Sequence, residues 1–395
     1  MTETTARTPG RFTEADCSLA DFAALVDQVT ELVDYPYASA VEKNVLVYDA
    51  AAVRKAIAHH TGRLAVEAEL VRALTAGPGV VAFSGAFPDT AVLDRATEAF
   101  EEIIAAEKEA GGGRNDHFAK AGANDRIWNA LEKLAVRDPD TFVDYYGNDI
   151  LALVSSAWLG PGYQLTSQVN VVRPGGKAQD PHRDYHLGFL TNETAARFPA
   201  HVHLLSPVLT LQGAVAHSDM PIESGPTMYL PYSHAYGPGY LAWRLPEFRE
   251  FFASRYVQLP LAKGDGVFFN PALFHGAGTN VSADVQRMAN LLQVSSAFGR
   301  AMETIDRAKV SRAIYPVLAA RRAAGVAADT LANALACAAE GYPFPTNLDL
   351  DSNVDGLTPL SQAQLVQGAL DEGWSRERLA AELTAYDRLR RTDEI

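Results

Sequence analysis

Three residues of this chain have the types and spacing of a mononuclear metal site. His182 and Asp184 are separated by one residue, so on an extended strand both side chains point to the same side. His275 follows a short apolar run far downstream, and Arg287 comes twelve residues after it. Two histidines, one carboxylate and a nearby arginine are typical of a non-haem iron site that also anchors a carboxylate co-substrate.

The histidine–x–aspartate pattern is weak on its own, because the chain has 10 histidines and such triplets arise by chance. A second triplet, from His217 to Asp219, also follows a predicted strand. The residues after it, 220–225, have the composition of a connecting loop. His217 is therefore a candidate for the mouth of a pocket, and the residues alone leave both triplets open.

The elements predicted around these residues are short strands in the middle of the chain and helices on either side. Strand-like runs separated by turn residues fill the stretch 163–296, and their spacing predicts a β-sandwich or jelly roll. Apolar periodicity predicts helices before it, including one over 140–159. After it, Thr358–Pro359 and Ser375 are predicted to begin two C-terminal helices.

Composition narrows the class of protein. The net charge of −14 over 395 residues argues against nucleic-acid and anionic membrane partners, because no basic excess is available to meet phosphates. Two cysteines form neither a disulfide framework nor a thiolate cluster. With no signal peptide or membrane-length apolar run in view, we expect a cytoplasmic protein with a small-molecule substrate. A homo-oligomer is left open.

Four segments together resemble the phytanoyl-CoA dioxygenase family: 170–184, 223–234, 263–266 and 275–287. In that family a histidine–x–aspartate pair precedes a Gly-Pro…Pro-x-Ser-His segment, and a distal histidine precedes an arginine by about eleven or twelve residues. Only the pair His182 and Asp184 precedes Gly225 with the spacing found in the family. The resemblance therefore selects this pair over the His217 triplet. Its motifs are specific in combination and weak singly.

The resemblance implies a fold and a division of the chain. The fold is α+β, with a double-stranded β-helix (a cupin-like jelly roll) flanked by N- and C-terminal helices. We expect an N-terminal helical extension over 1–65, the dioxygenase domain over 66–300 and a C-terminal helical extension over 301–395.

The resemblance also implies site residues. His182, Asp184 and His275 would bind Fe(II), and Arg287 would hold the distal carboxylate of 2-oxoglutarate through a bidentate fork. Asn170 and Gln212 are candidates for further co-substrate contacts. Four residues are candidate substrate contacts: Tyr185, His186, His217 and Lys120. Ala277 departs from the family, which often has a small hydroxyl residue there.

The predicted function is oxidation of a small molecule by O2 and 2-oxoglutarate, with release of succinate and CO2. Hydroxylation is the first expectation, and desaturation or ring formation uses the same site. Retention of Asp184 argues against halogenation, since related halogenases have a small residue at this position. The alternatives are a cupin-like metalloenzyme or a binding protein that does not use 2-oxoglutarate, and Arg287 argues against both.

Overall fold

A computed structural model describes residues 10–110, 124–351 and 356–392. The strands in these ranges are β1 (Ala40–Glu42), β2 (Val45–Asp49), β3 (Val80–Ser84), β4 (Asn124–Ile127), β5 (Gln164–Val172), β6 (Thr210–Ala216), β7 (Met228–Leu230), β8 (Gly266–Phe269), β9 (Phe274–Gly276) and β10 (Arg287–Ser295). The α-helices are α1 (Leu19–Val26), α2 (Ala50–Ile57), α3 (His60–Thr75), α4 (Ala91–Glu109), α5 (Ala130–Arg137), α6 (Pro139–Tyr146), α7 (Asp149–Leu159), α8 (Asn192–Ala195), α9 (Ala200–Leu205), α10 (Gly239–Ala242), α11 (Pro246–Arg255), α12 (Arg307–Ala323), α13 (Ala328–Ala338), α14 (Gln362–Glu372) and α15 (Arg376–Arg388). Short 3-10 helices occur at Glu14–Asp16, Leu32–Asp34, His186–Phe189, Ser206–Leu209, Ile222–Ser224 and Ser233–Ala235.

The strands form one large sheet and one small sheet. The order in the large sheet is β1-β2-β3-β8-β6-β10-β5-β4, and all neighbours are antiparallel except β2 and β3. In the small sheet β7 pairs with β9, and single bridges from Val257 to Tyr229 and from His182 to His275 widen it. The prediction of an α+β chain with a double-stranded β-helix core between helices is confirmed.

Strand β10 shows how alternation separates the hydrophobic core from the functional face. Met288 and Val294 are buried in the main core, where helices cover the sheet. Arg287 and Gln293 lie at odd positions of the same strand and line a cavity on the concave side. Because successive side chains of a strand point to opposite faces, one strand serves both surfaces.

In the main core the large sheet packs against helices that precede β5 and helices that follow β10 in the sequence. Phe142 of α6, Leu153 of α7, Ile314 of α12 and Leu383 of α15 all belong to it and are fully buried. The segment predicted as an N-terminal helical extension also contributes β1 and β2 to the edge of the large sheet. The division into three parts remains a prediction.

Two flanking elements differ from the sequence prediction. The helix predicted over 140–159 is two helices, α6 and α7, because Asn148 accepts hydrogen bonds from the backbone N–H groups of Ile150 and Leu151 and starts a new helix. The cap of α14 is Ser361 and not Thr358, whereas Ser375 caps α15 as predicted. Among the described residues, no helix combines the length and the apolarity that a membrane crossing requires.

Arg183, which lies between the metal-ligand candidates His182 and Asp184, anchors their segment to the rest of the fold. It is 2 % exposed, and its Nη2 donates to the carbonyl oxygens of Ser233, His234 and Tyr236 at 2.6, 3.3 and 3.0 Å. The ring centre of Tyr240 lies 5.1 Å from its guanidinium carbon. Carbonyl acceptors and aromatic faces therefore stabilise this buried cation.

Gly239 leaves the space that the Arg183 guanidinium occupies, since a Cβ atom there would lie 2.0 Å from its carbon. Gly239→Ala should lower the free energy of unfolding by about 1–3 kcal/mol through overpacking, measured by chemical denaturation. Gly368→Ala is the matched control, because a Cβ there meets no atom within 4 Å and alanine favours the helix by up to about 1 kcal/mol. Equal stabilities of the two variants would contradict this account of Arg183.

Candidate metal centre

The three predicted ligands come together because two backbone segments pair. The N–H of His182 donates to the carbonyl of His275 at 2.9 Å, and the N–H of His275 donates back to His182 at 3.2 Å. Two residues further on, the N–H of Asp184 donates to the carbonyl of Pro271 at 3.0 Å. The segment is held extended beside β9, which directs His182 and Asp184 to the same side.

The side chains form a compact triad. Nε2 of His182 lies 3.8 Å from Oδ1 of Asp184, and Nε2 of His275 lies 3.5 Å from Oδ2. The three ligand atoms all lie within 4.8 Å of one another. In residues 10–110, 124–351 and 356–392 no other group of three or more His, Cys, Asp or Glu side chains has this spacing. The triad is therefore the metal-site candidate of the described chain.

Both imidazoles are oriented through their second nitrogen. Nδ1 of His182 lies 2.8 Å from the carbonyl oxygen of Asp180, and Nδ1 of His275 lies 2.8 Å from that of Leu273. Because a carbonyl oxygen only accepts, each Nδ1 carries the proton and each Nε2 keeps its lone pair for a metal. Burial lowers the pKa of His182, which favours the neutral form that ligation requires.

The Asp184 carboxylate is held by a neighbouring amide. Nε2 of Gln212 donates to Oδ2 of Asp184 at 2.5 Å. Burial alone would raise the pKa of this carboxyl group, but the imidazoles of His182 and His275 and the Gln212 amide outweigh it and hold the pKa well below its usual range. Asp184 is therefore ionised, as a metal ligand must be.

A cavity of about 660 Å³ adjoins the triad, between the concave face of the large sheet and the small sheet. Two neutral imidazoles and one carboxylate beside an open cavity match the facial triad of non-haem Fe(II), which leaves coordination positions for other molecules. The residues present thus fit Fe(II). The volume is in the range of pockets that hold drug-sized ligands.

Arg287 lies in the same cavity without a protein partner. It is 6 % exposed, and neither its Nε nor its Nη2 has a hydrogen-bond partner within the described part of the chain. Burial lowers the pKa of Arg287 to about 10, so it stays a cation near neutral pH. A buried guanidinium without a counter-ion is costly unless an anion fills the site. Arg287 is thus a candidate anion-binding residue.

The two other predicted co-substrate contacts lie at opposite ends of the concave face. Asn170 pairs with Ala289, two residues from Arg287, and its buried Oδ1 has no partner within the described ranges. Gln212 pairs with Gln293, which is six residues along β10 from Arg287, and its side chain reaches Asp184 of the triad. Asn170 therefore lies near Arg287 and Gln212 near the triad. A direct contact of either with 2-oxoglutarate stays a prediction.

Three of the four predicted substrate contacts, Tyr185, His186 and His217, do not line this cavity. Tyr185 is buried and His186 is exposed, with its Nδ1 2.8 Å from the hydroxyl oxygen of Ser206; neither lines the cavity. Both residues have positive φ angles, 62° and 41°, a backbone conformation that non-glycine residues adopt rarely. Lys120 lies outside the described residues.

His217 is enclosed on the opposite face of the large sheet. Its Nδ1 lies 2.8 Å from the hydroxyl of Thr97 and its Nε2 2.9 Å from that of Tyr145. Burial lowers the pKa of His217 to about 3, so it is neutral. The preceding residue, Ala216, lines the cavity, and alternation turns His217 toward the helices. The second triplet therefore does not reach the cavity.

Sequence reasoning missed several residues that line the cavity: Trp128, Gln168, Phe189, Trp243, Gln293 and Met302. None has a reactive side chain, so residue type alone offers no signal. For Gln293 a signal was available, because it lies an even number of residues from Arg287 on one strand and must share its face.

The sequence profile of the family described as phytanoyl-CoA dioxygenase (PhyH) matches residues 77–289, more than half of the chain. This range contains the triad and Arg287. No curated protein matches the sequence.

Solved structures with a similar fold include three proteins. The first, SnoK, a non-haem α-ketoglutarate-dependent carbocyclase from nogalamycin biosynthesis, is 22% identical and covers 62% of this chain and 89% of its own, with a TM-score of 0.43. SnoN, an epimerase of the same biosynthesis, is 19% identical over 63% of this chain and 84% of its own, with a TM-score of 0.38. HygX from Streptomyces hygroscopicus, solved with nickel, 2-oxoglutarate and hygromycin B bound, is 14% identical over 58% and 87%, with a TM-score of 0.37.

The hydrogen bond from Gln212 to Asp184 predicts a role in metal affinity. Gln212→Leu should weaken Co(II) binding about 10- to 100-fold, because the ligand carboxylate loses the donor that orients it. Isothermal calorimetry measures this without turnover. Gln293→Leu is the control, since Gln293 is the neighbour of Gln212 on β10 and its side chain has no hydrogen bond to His182, Asp184 or His275. Equal Co(II) affinities of the two variants would show that the Gln212 bond does not matter for the site.

Proposed function

Because this chain belongs to the phytanoyl-CoA dioxygenase family of non-haem iron enzymes that depend on 2-oxoglutarate, we propose that it hydroxylates a small organic molecule. The co-products are succinate and CO2. The observation that carries the proposal is one cavity with two built sites: a His182–Asp184–His275 triad for a metal and a buried, unpaired Arg287 for an anion. An enzyme that binds a metal and a dicarboxylate needs both.

In the proposed reaction the protein binds and orients the reactants. His182, Asp184 and His275 hold Fe(II), and Arg287 offers its guanidinium fork to the distal carboxylate of 2-oxoglutarate. When bound, iron and 2-oxoglutarate activate O2, and 2-oxoglutarate is converted to succinate and CO2. The unpartnered Asn170 oxygen lies near the same end of the cavity, while Ala277 lacks the hydroxyl that many relatives offer there.

The cavity walls also limit side reactions. Phe269 packs against the His275 ring, with ring centres 4.7 Å apart, and Leu259 and Leu261 line the wall beside it. Apolar walls exclude water that would compete for the open metal positions and strengthen the interaction of Arg287 with an anion. Asp184 occupies the third ligand position, so a halide has no vacant position of the kind that halogenases provide.

His275→Ala should abolish retention of Fe(II) and formation of succinate together, because two ligands remain where three are required. Iron content after desalting and the visible charge-transfer band of the anaerobic Fe(II)–2-oxoglutarate complex report binding separately from turnover. His201→Ala, a change at an exposed histidine, should affect neither. Full succinate formation by the His275 variant would exclude it as a ligand. A wild-type protein with iron but without the band would favour a cupin-like enzyme or binding protein.

Arg287→Ala should raise the 2-oxoglutarate concentration needed for half-maximal formation of the charge-transfer band by roughly 10- to 1000-fold. Arg287→Lys should lie between it and the wild type, because lysine keeps the charge but lacks the fork. Arg376→Ala, at an exposed arginine, is the control. An unchanged requirement in the alanine variant would mean that another residue holds the carboxylate.

A further inference from the structure

The Gln293 amide faces the cavity and is unused by the protein. Its side chain is 8 % exposed, and the buried Oε1 has no partner within residues 10–110, 124–351 and 356–392. Its Nε2 donates no hydrogen bond to a described residue either. A buried amide without partners destabilises the fold, so such a group in a cavity is expected to meet a ligand. The metal and co-substrate sites do not use it.

Gln293 lies close to the place where oxidation would occur. It is directly opposite Gln212 in the pairing of β10 with β6, and Gln212 donates to the ligand Asp184. Side chains at opposite positions of antiparallel strands are neighbours, with Cβ atoms about 5 Å apart. The carboxylate requires a donor, so the amide of Gln212 points its Nε2 at Asp184 and leaves its Oε1 as a buried, unpartnered acceptor.

These two amides together select a particular group. Gln212 offers an acceptor, and Gln293 offers both an acceptor and a donor. A hydroxyl group satisfies such a pair, because it can donate one hydrogen bond and accept another. A hydrocarbon surface would leave both amides unpaired.

The cations of the cavity lining are already engaged. Arg183 is bound by backbone carbonyls. Arg249 forms an ion pair with Asp180 at 3.3 Å on the exposed side of the lining, and its Nε has no partner within the described residues. Arg126 donates to a glutamine oxygen at 2.8 Å and stacks on a tryptophan ring. Arg287 is assigned to 2-oxoglutarate. No lysine occurs among the described residues of the lining, so within those residues a second anion meets no further buried cation without a partner.

The acidic groups of the lining are engaged as well. Asp184 is a metal ligand and Asp180 pairs with Arg249. A charged substrate group would therefore lose water without gaining a partner of opposite charge. The lining favours an uncharged substrate.

The mouth of the cavity adds a large apolar surface. Trp128, Phe189, Trp243 and Met302 line it, and Phe189 and Met302 are 56 % and 39 % exposed. Aromatic side chains at a cavity mouth bury the faces of a ring well. The volume of about 660 Å³ leaves room for such a ring beside 2-oxoglutarate.

We propose that the substrate is an uncharged ring compound bearing a hydroxyl group, which the amides of Gln293 and Gln212 hold beside the metal. Its ring lies against the aromatic residues at the mouth. This inference rests on the proposed function and narrows the substrate to a chemical class. Gln293 acts as a specificity-determining residue.

The test compares matched probes that differ in charge. The protein is loaded with Ni(II), which prevents turnover, and saturated with 2-oxoglutarate so that Arg287 is occupied. Binding of two sets of probes is measured by saturation-transfer NMR and calorimetry. In the first set cyclohexanediol is the neutral member, and cyclohexanecarboxylate and cyclohexylamine are its charged counterparts. In the second set phenyl glucoside is neutral and phenyl glucuronide is charged. We expect a neutral member to bind and to be favoured about tenfold or more over its charged counterparts. Equal or tighter binding of a charged member, or no binding of either neutral probe, overturns the proposal.

Variants assign the effect to the amide. Gln293→Leu should weaken binding of the neutral probe about five- to tenfold, as loss of a hydrogen bond does, and leave Ni(II) affinity unchanged. Gln367→Leu makes the same change on the exposed face of α14 and should alter neither. An unchanged affinity of the neutral probe in Gln293→Leu overturns the assignment. The Fe(II)–2-oxoglutarate band is recorded first: its absence defeats the proposed function, whereas its presence with a failed probe comparison defeats only the substrate class.

Discussion

Two backbone hydrogen bonds between His182 and His275 hold the functional part of this fold together. They join an irregular segment to β9, and thereby bring together ligands that are far apart in the sequence. The bond from Asp184 to Pro271 continues the pairing and sets the direction of the carboxylate. Without this pairing the three side chains would not come together as a triad, although the carbonyls of Asp180 and Leu273 would still lie near their own imidazoles in the sequence.

Two buried arginines of the cavity lining, Arg183 and Arg287, differ in the groups that surround their charge. Arg183 is surrounded by carbonyl oxygens and aromatic rings, which stabilise its charge with no ligand present. The Nε of Arg183 has no partner within the described residues, but its Nη2 donates to three carbonyls, whereas the guanidinium of the nearly as buried Arg287 donates to no described residue. The contrast separates an arginine with contacts inside the fold from one that we propose binds an anion, and burial alone would not separate them.

Sequence patterns identified the candidate metal and anion residues better than the residues on the substrate side of the cavity. The triad and Arg287 were found because iron ligation and carboxylate binding require particular residue types at particular spacings. The substrate side could not be found in this way, since it consists of amides and apolar rings that are common everywhere in proteins. Tyr185 and His186 were selected as neighbours of ligands, but neither lines the cavity. His217 was predicted at the pocket mouth because the sequence does not show which face of its strand lines the cavity.

The Arg183 anchor also bears on how the apo protein behaves. Its carbonyl and aromatic contacts lie within the protein and do not involve a metal. The ligand-bearing segment therefore loses its conformational entropy when the chain folds, not when the ion arrives. Preorganisation of this kind means that the direction of the two ligand candidates, His182 and Asp184, is set by contacts within the protein.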